Sequence, residues 1–352
     1  MTARSRARPT AVVAALVALL VALLAGCSVL PVSPLGAGAA TPSSTRGGTP
    51  APAGPLPRVR VAPFVDLTTP PLPDLAAYAD TTGQRDVVLA FVLAGPDGCS
   101  PTWGGETALT DPAVTARVAA PRARGGTTTV SSGGAVGDYL ETTCPDAASL
   151  ARAYGRTLDA VGTDHLDVDV ETDTGRAVPL DRVADALAAL QRARGTRVTL
   201  TLQIEDATRG MTAEALTLVR AVTARGVAAR VNVMAMNFVD ERPWAEAMVG
   251  AVDAAVAQLA AVWPGSTDAE VRGRVGVTYM LGRNDMDMTT RPADAAALVG
   301  QAARRGLGYV GFWALARDNG GCPGTEDEAD DCSGISQDRW AFTRLTAPFA
   351  RS

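Results

Sequence analysis

The chain has 352 residues, 47% of them hydrophobic, and a formal net charge of −5 from 32 basic and 37 acidic residues, which is ample for one sizeable core and offers no basic tract for nucleic acid. Every basic residue is arginine, which excludes lysine Schiff-base chemistry. The only histidine is His165, which leaves no material for a multi-histidine metal site and little for a Ser/His/Asp triad, so any catalysis must rest on carboxylates, hydroxyls or backbone groups.

In chain order, Arg4, Arg6 and Arg8 precede a continuous apolar run from Ala11 to Leu24. That run is too short for a comfortable membrane span and reads as an export leader. Leu24-Ala25-Gly26-Cys27 then resembles a bacterial lipobox, which makes residues 1–26 a lipoprotein signal peptide and Cys27 the lipidated residue. An ordinary secretory signal with an incidental cysteine is the alternative. The expected location is the outer face of the cytoplasmic membrane, as an anchored surface lipoprotein, or release as a secreted protein. Loss of the leader removes three arginines and no acid, taking the net charge from −5 to −8. Residues 27–57 are rich in Pro, Gly, Ser, Thr and Ala, the composition of a disordered tether.

From Arg58 onward, Val-rich runs alternate with Ala-rich, helix-periodic ones. Strands are predicted at Val59–Val65, Val87–Leu93, Thr127–Ser131, His165–Glu171, Val198–Leu202, Arg230–Met236, Val275–Met280 and Gly308–Trp313. A helix is predicted after each, starting near Leu72, Asp111, Asp146, Leu180, Thr212, Arg242, Arg291 and Ile335. Eight strand–helix pairs over residues 58–352 predict a single α/β domain, a (β/α)₈ TIM barrel. A doubly wound open sheet is the rival, but no G-x-G-x-x-G turn follows the first strand.

Four cysteines lie in the folded part, and an even number in an exported chain suggests two disulfides with three possible connectivities. Cys322 and Cys332 flank one Gly- and acid-rich loop and are expected to pair, which leaves Cys99 with Cys144. The alternative, a four-thiolate metal site, lacks any C-x-x-C spacing.

The stretch that carries chemistry is Asp164 to Glu171, D-H-L-D-V-D-V-E. Val168 and Val170 favour a strand. Alternation then puts Asp167, Asp169 and Glu171 on one face. Like charges on one face of an apolar strand are costly to ionise together, so at least one carboxyl stays protonated near neutral pH, as a general acid must. Asp167, deepest in the barrel, is expected to be the most reluctant to ionise. A calcium site or a solvated acidic edge is the plainer reading. An EF-hand loop would need glycine at the sixth position from Asp167, and Thr172 stands there.

D-x-x-D-x-D-x-E is the signature of glycoside hydrolase family 18, the chitinases and their relatives, and the chain resembles that family at each fixed position. Ser131-Ser132-Gly133-Gly134 resembles the family's S-x-G-G motif, one strand before the acidic run. Met234-Ala235-Met236-Asn237-Phe238 stands where the family commonly has M-x-Y-D or M-x-M-D-Y, but with Asn237 at the acidic position. Trp313 ends the last predicted strand, where the family has the aromatic floor of a sugar subsite. Phe91 to Gly105 resembles the second-strand loop of one bacterial chitinase subgroup, and Asn284-Asp285 is placed to line the cleft. The resemblance implies Glu171, Asp169 and Asp167 as catalytic residues. It implies Trp313, Asn237, Met236, Asp164, Ser131, Gly133 and Gly134 as substrate-binding residues.

What this implies is a chitinase-like glycosidase, cleaving β-1,4 N-acetylglucosamine linkages by a substrate-assisted retaining mechanism with Glu171 as acid and base. No cofactor and no metal are expected. The implied partners are an N-acetylglucosamine-containing glycan and the membrane, through the lipid; no nucleic acid is implied, and the chain is expected to be a monomer. The alternative is a catalytically silent glycan-binding lipoprotein on the same barrel. A solute-binding lipoprotein would need two lobes, and no hinge between lobes is visible.

Overall fold

A computed structural model of the chain describes residues 54–351, apart from 172–174, 176 and 326–328. The leader, Cys27 and the tether up to residue 53 lie outside the described residues. Eight parallel strands form the frame: β1 Phe64–Asp66, β2 Val87–Ala94, β3 Thr128–Gly133, β4 His165–Val170, β5 Arg197–Asp206, β6 Ala229–Met234, β7 Val275–Met280 and β8 Tyr309–Trp313. Each pairs with the next. The ring closes where Val61 bridges Val310, with Ala62 N donating to Val310 O at 3.3 Å and Val310 N to Arg60 O at 2.9 Å. The helices between and after the strands are α1 Leu75–Thr82, α2 Pro112–Ala123, α3 Ala147–Val161, α4 Leu180–Arg194, α5 Ala213–Ala224, α6 Trp244–Val262, α7 Pro292–Arg304 and α8 Ala341–Ala350. This is a TIM barrel, and its outward-facing valines and leucines form one core with the helices.

The departures from the predicted boundaries have local causes. The first strand is predicted from Val59, but Pro63 has no N–H to donate, and regular pairing starts only at Phe64. Pro57, the last residue of the predicted tether, is buried, and its carbonyl accepts Arg230 Nη2 at 2.9 Å. Helix α1 begins at Leu75 rather than Leu72, because the Asp74 carboxylate accepts the N–H groups of Ala76 and Ala77. Strand β4 ends at Val170, so Glu171 stands just beyond it. Strand β5 runs on to Asp206, because Gly210–Met211 folds back antiparallel against it. The last helix starts at Ala341, not near Ile335. The buried Asp318 carboxylate caps it, accepting Phe342 N at 3.1 Å and Thr343 N at 2.8 Å. Between Asp318 and that helix lies the loop closed by Cys322–Cys332. The other disulfide, Cys99–Cys144, ties a hairpin on β2 to the short helix Leu140–Thr143.

Candidate active site

Alternation along β4 separates two sets of residues. Leu166, Val168 and Val170 pack outward into the helical layer, while His165, Asp167 and Asp169 point into the ring and are also buried. His165, lowest of the three, lies between the hydroxyls of Thr129 at 2.8 Å and Thr199 at 2.9 Å. Burial, and then the nearby Arg230, pull its pKa down to about 3, so it is neutral. Two residues higher, Asp167 accepts Ser131 Oγ at 2.6 Å and Thr201 Oγ1 at 2.7 Å. Thr201 in turn accepts Asn232 Nδ2 at 3.0 Å, and Asn232 also bonds Thr278 at 2.8 Å. Five successive strands, β3 to β7, thus give the barrel interior a continuous polar ladder.

Burial pushes Asp167 up to about 7, against the pull of its two hydroxyl donors toward the charged form. Asp169 is raised well above the carboxylate range, by burial first and then by the charges of Glu171, Asp167 and Glu141. Its Oδ1 has no hydrogen-bond partner among the described residues. The expectation that Asp167 is the most reluctant to ionise is therefore corrected. Asp167 lies deeper but has two donors that favour its anion; Asp169 has three acidic neighbours and an oxygen without a donor. The pair shares its protons as a unit, and Asp169 holds one more firmly.

Glu171 is half-buried at the mouth of the ring. Its backbone N–H donates to the Tyr139 hydroxyl at 3.2 Å, and that hydroxyl donates to Gly134 O. The glycines of Ser131-Ser132-Gly133-Gly134 have steric roles here. A Cβ on Gly133 would lie 1.9 Å from Asp169 O, and one on Gly134 would lie 2.7 Å from the Phe91 ring. Both residues have positive φ, which glycine adopts without strain. Gly134 N donates to Asp169 O at 3.0 Å, which seats the end of β3 against the end of β4.

Above the carboxylates lies a cleft of about 350 Å³ lined by Asp169, Glu171, Trp313, Phe91, Met236 and Asn237 among others. Trp313 stacks on Phe91, with ring centroids 5.5 Å apart and planes at 16°, and Phe64 sits 6.1 Å from Trp313. Met234, Met236 and Met280 pack against the same indole. An apolar platform thus faces a pair of buried acids, the arrangement expected around a sugar ring.

Several expected binding residues do not contact the cleft. Asp164 is at the opposite end of β4 and pairs with Arg197. It has the parity of Leu166 and Val168, so the strand turns it away from the ring. Ser131 is buried and serves Asp167, while Gly133 and Gly134 act through Asp169 and Phe91. The N-terminal face has a groove of about 520 Å³ lined by Arg122, Asp159, Asp164 and Arg194. Its charges are largely paired, as in Arg194 Nη2–Asp159 Oδ1 at 2.5 Å, and no aromatic platform accompanies them. Thr201, Asn232, Thr278 and Tyr139 were missed from sequence. For the first three a signal existed: each is a polar residue between two apolar neighbours on a predicted strand. Tyr139 had none, because its tie to Glu171 exists only in three dimensions. Trp103, within the Phe91 to Gly105 segment, is buried in the core.

No family model matches the chain. The probable bifunctional chitinase/lysozyme of Escherichia coli (strain K12) is 29% identical over 331 residues, covering 88% of this chain and 36% of that protein. Endochitinase 11 of Metarhizium anisopliae is 29% identical over 294 residues, 79% of this chain and 56% of the relative. The chain therefore spans between about a third and a little over half of the length of these curated relatives. The catalytic domain of the hyperthermophilic chitinase from Pyrococcus furiosus superposes with a TM-score of 0.77 at 29% identity, covering 85% of this chain and 97% of that one. Catalytic-site mutants of active domain 2 of the thermostable chitinase from the same organism, solved with chito-oligosaccharides, match at 28% identity and TM-score 0.77, over 86% of this chain and 98% of theirs.

Proposed function

We propose, for a chain that is family 18 chitinase-like in sequence and in fold, that it hydrolyses β-1,4 N-acetylglucosamine linkages with Glu171 as general acid and base. The observation that carries this reading is the stack of Asp167, Asp169 and Glu171 on one side of the ring, beneath a cleft walled by Trp313 and Phe91. Glu171 donates its proton to the glycosidic oxygen, and the leaving sugar departs as an alcohol. The carbonyl oxygen of the substrate's own acetamido group attacks the anomeric carbon and closes an oxazolinium ring, so no protein atom bonds to the sugar. Asp169 takes the acetamido N–H on its Oδ1, the oxygen that has no partner among the described residues. Asp167, held by Ser131 and Thr201, accepts part of the Asp169 proton as charge develops. Glu171, now a base, draws a proton from water, which opens the ring with retention.

The silent-binder alternative is not favoured, because the acid it would lack stands at the cleft. Glu171→Gln should cut turnover of N-acetylglucosamine oligomers by about a hundred-fold or more, the contribution of a positioned acid, while the oligomer still binds. Undiminished turnover would remove Glu171 from the mechanism. We propose further that the protein is exported and held to the outer face of the membrane through Cys27. The two disulfides support this, since such bonds persist in oxidising compartments.

A further inference from the structure

Where the cleft is walled by the chain after β6 and after β7, two loops meet through one pair of side chains. Asn237 follows β6, and Asp285 follows β7; both line the cleft and both are exposed. Asn237 Nδ2 donates to Asp285 Oδ2 at 2.5 Å, and Asp285 N donates to Asn237 Oδ1 at 3.3 Å. These reciprocal bonds fix the orientation of the amide. The backbone N–H of Asp285 must meet an oxygen, so the Asn237 nitrogen must face the carboxylate. Asn237 has φ 55, a left-handed conformation that asparagine tolerates better than most residues. The turn after β6 therefore aims this side chain at Asp285 by backbone geometry.

The two bonds engage both ends of the amide. What they fix in place is the carboxylate of Asp285, an exposed acceptor group that lines the cleft. A carboxylate held by a donor points where it is held. We infer that Asp285 is a substrate-binding residue, taking a hydroxyl or amide N–H of the sugar along this wall, and that Asn237 is its positioning residue. The assignment rests on the glycan reading given above. It also means that the acid of this wall belongs to the loop after β7, while β6 contributes the amide that aims it. Restoring an acid at 237 would set two carboxylates about 2.5 Å apart and disrupt the wall rather than improve it.

The test uses the full chain with the N-acetylglucosamine tetramer. KM is measured by turnover, and Kd by calorimetry on proteins that also carry Glu171→Gln. Absence of tetramer binding by the parent protein would reject the glycan reading itself, and this inference with it. Given parent binding, Asp285→Asn and Asn237→Ala should each weaken the tetramer by about tenfold, the loss of one charge-assisted hydrogen bond, with the change in KM rather than in kcat. Asn237→Asp should weaken it at least as much. The double variant Asn237→Asp with Asp285→Asn restores the reciprocal bonds but moves the charge to the other loop. Its Tm should return to that of the parent while tetramer affinity stays low. Parent-like affinity in the double variant, or an Asp285→Asn affinity within about twofold of the parent, would overturn the inference and leave the pair as a tie between loops.

Discussion

Asp167 and Asp169 occupy the same strand face two residues apart, yet their surroundings treat the charge differently. Two hydroxyls hold Asp167, whereas three acidic neighbours crowd Asp169. Burial still dominates at Asp167 and raises it from 3.8 to about 7. Across that interval the folded chain keeps a proton that the unfolded chain releases. The stability this group supports is therefore fully present below 3.8 and is lost as pH rises through about 7. Asp167→Asn removes the titration and keeps the shape. Its Tm, relative to the parent, should rise between about pH 4 and about pH 8. A Tm difference that stays constant over this range would mean that Asp167 ionises as an exposed carboxyl does.

At the scale of the element, the site depends on how closely β3 and β4 approach at their ends. Gly133 is opposite Asp169 in register, and its missing side chain is what allows Asp169 O within reach of Gly134 N. Gly133→Ala would place a Cβ 1.9 Å from that oxygen, at φ 113. It should destabilise the chain by at least about 2 kcal/mol, combining overpacking with backbone strain. It should also depress kcat, because Asp169 and Glu171 move with the strand end. Denaturant melts and single-substrate kinetics on the same variant check both, and normal values for each would mean the strands can part without disturbing the acids. The parity of β4 was legible in sequence because alternation is a local property of a strand. The same parity excludes Asp164: the motif links it to the acids, but its even position faces it away from them.

For the whole molecule, the cysteines connect the fold to the proposed export. Cys99–Cys144 braces the hairpin on β2 near Tyr139, and Cys322–Cys332 closes the loop before α8. Both suit a protein that works outside the cytoplasm. Cys27→Ser should move the protein from the membrane fraction to the soluble exported fraction; continued sedimentation with membranes would eliminate the lipid anchor.

The sequence alone determined the eightfold alternation, the acidic strand and the aromatic at the last strand end. Each of these is written in hydrophobic periodicity or in residues a few positions apart. Tertiary structure alone decided that Asp169 rather than Asp167 holds its proton harder, and that Asn237 meets Asp285. Those outcomes depend on donors, charges and loops that the ring brings together from strands tens of residues apart, and no local pattern encodes that proximity.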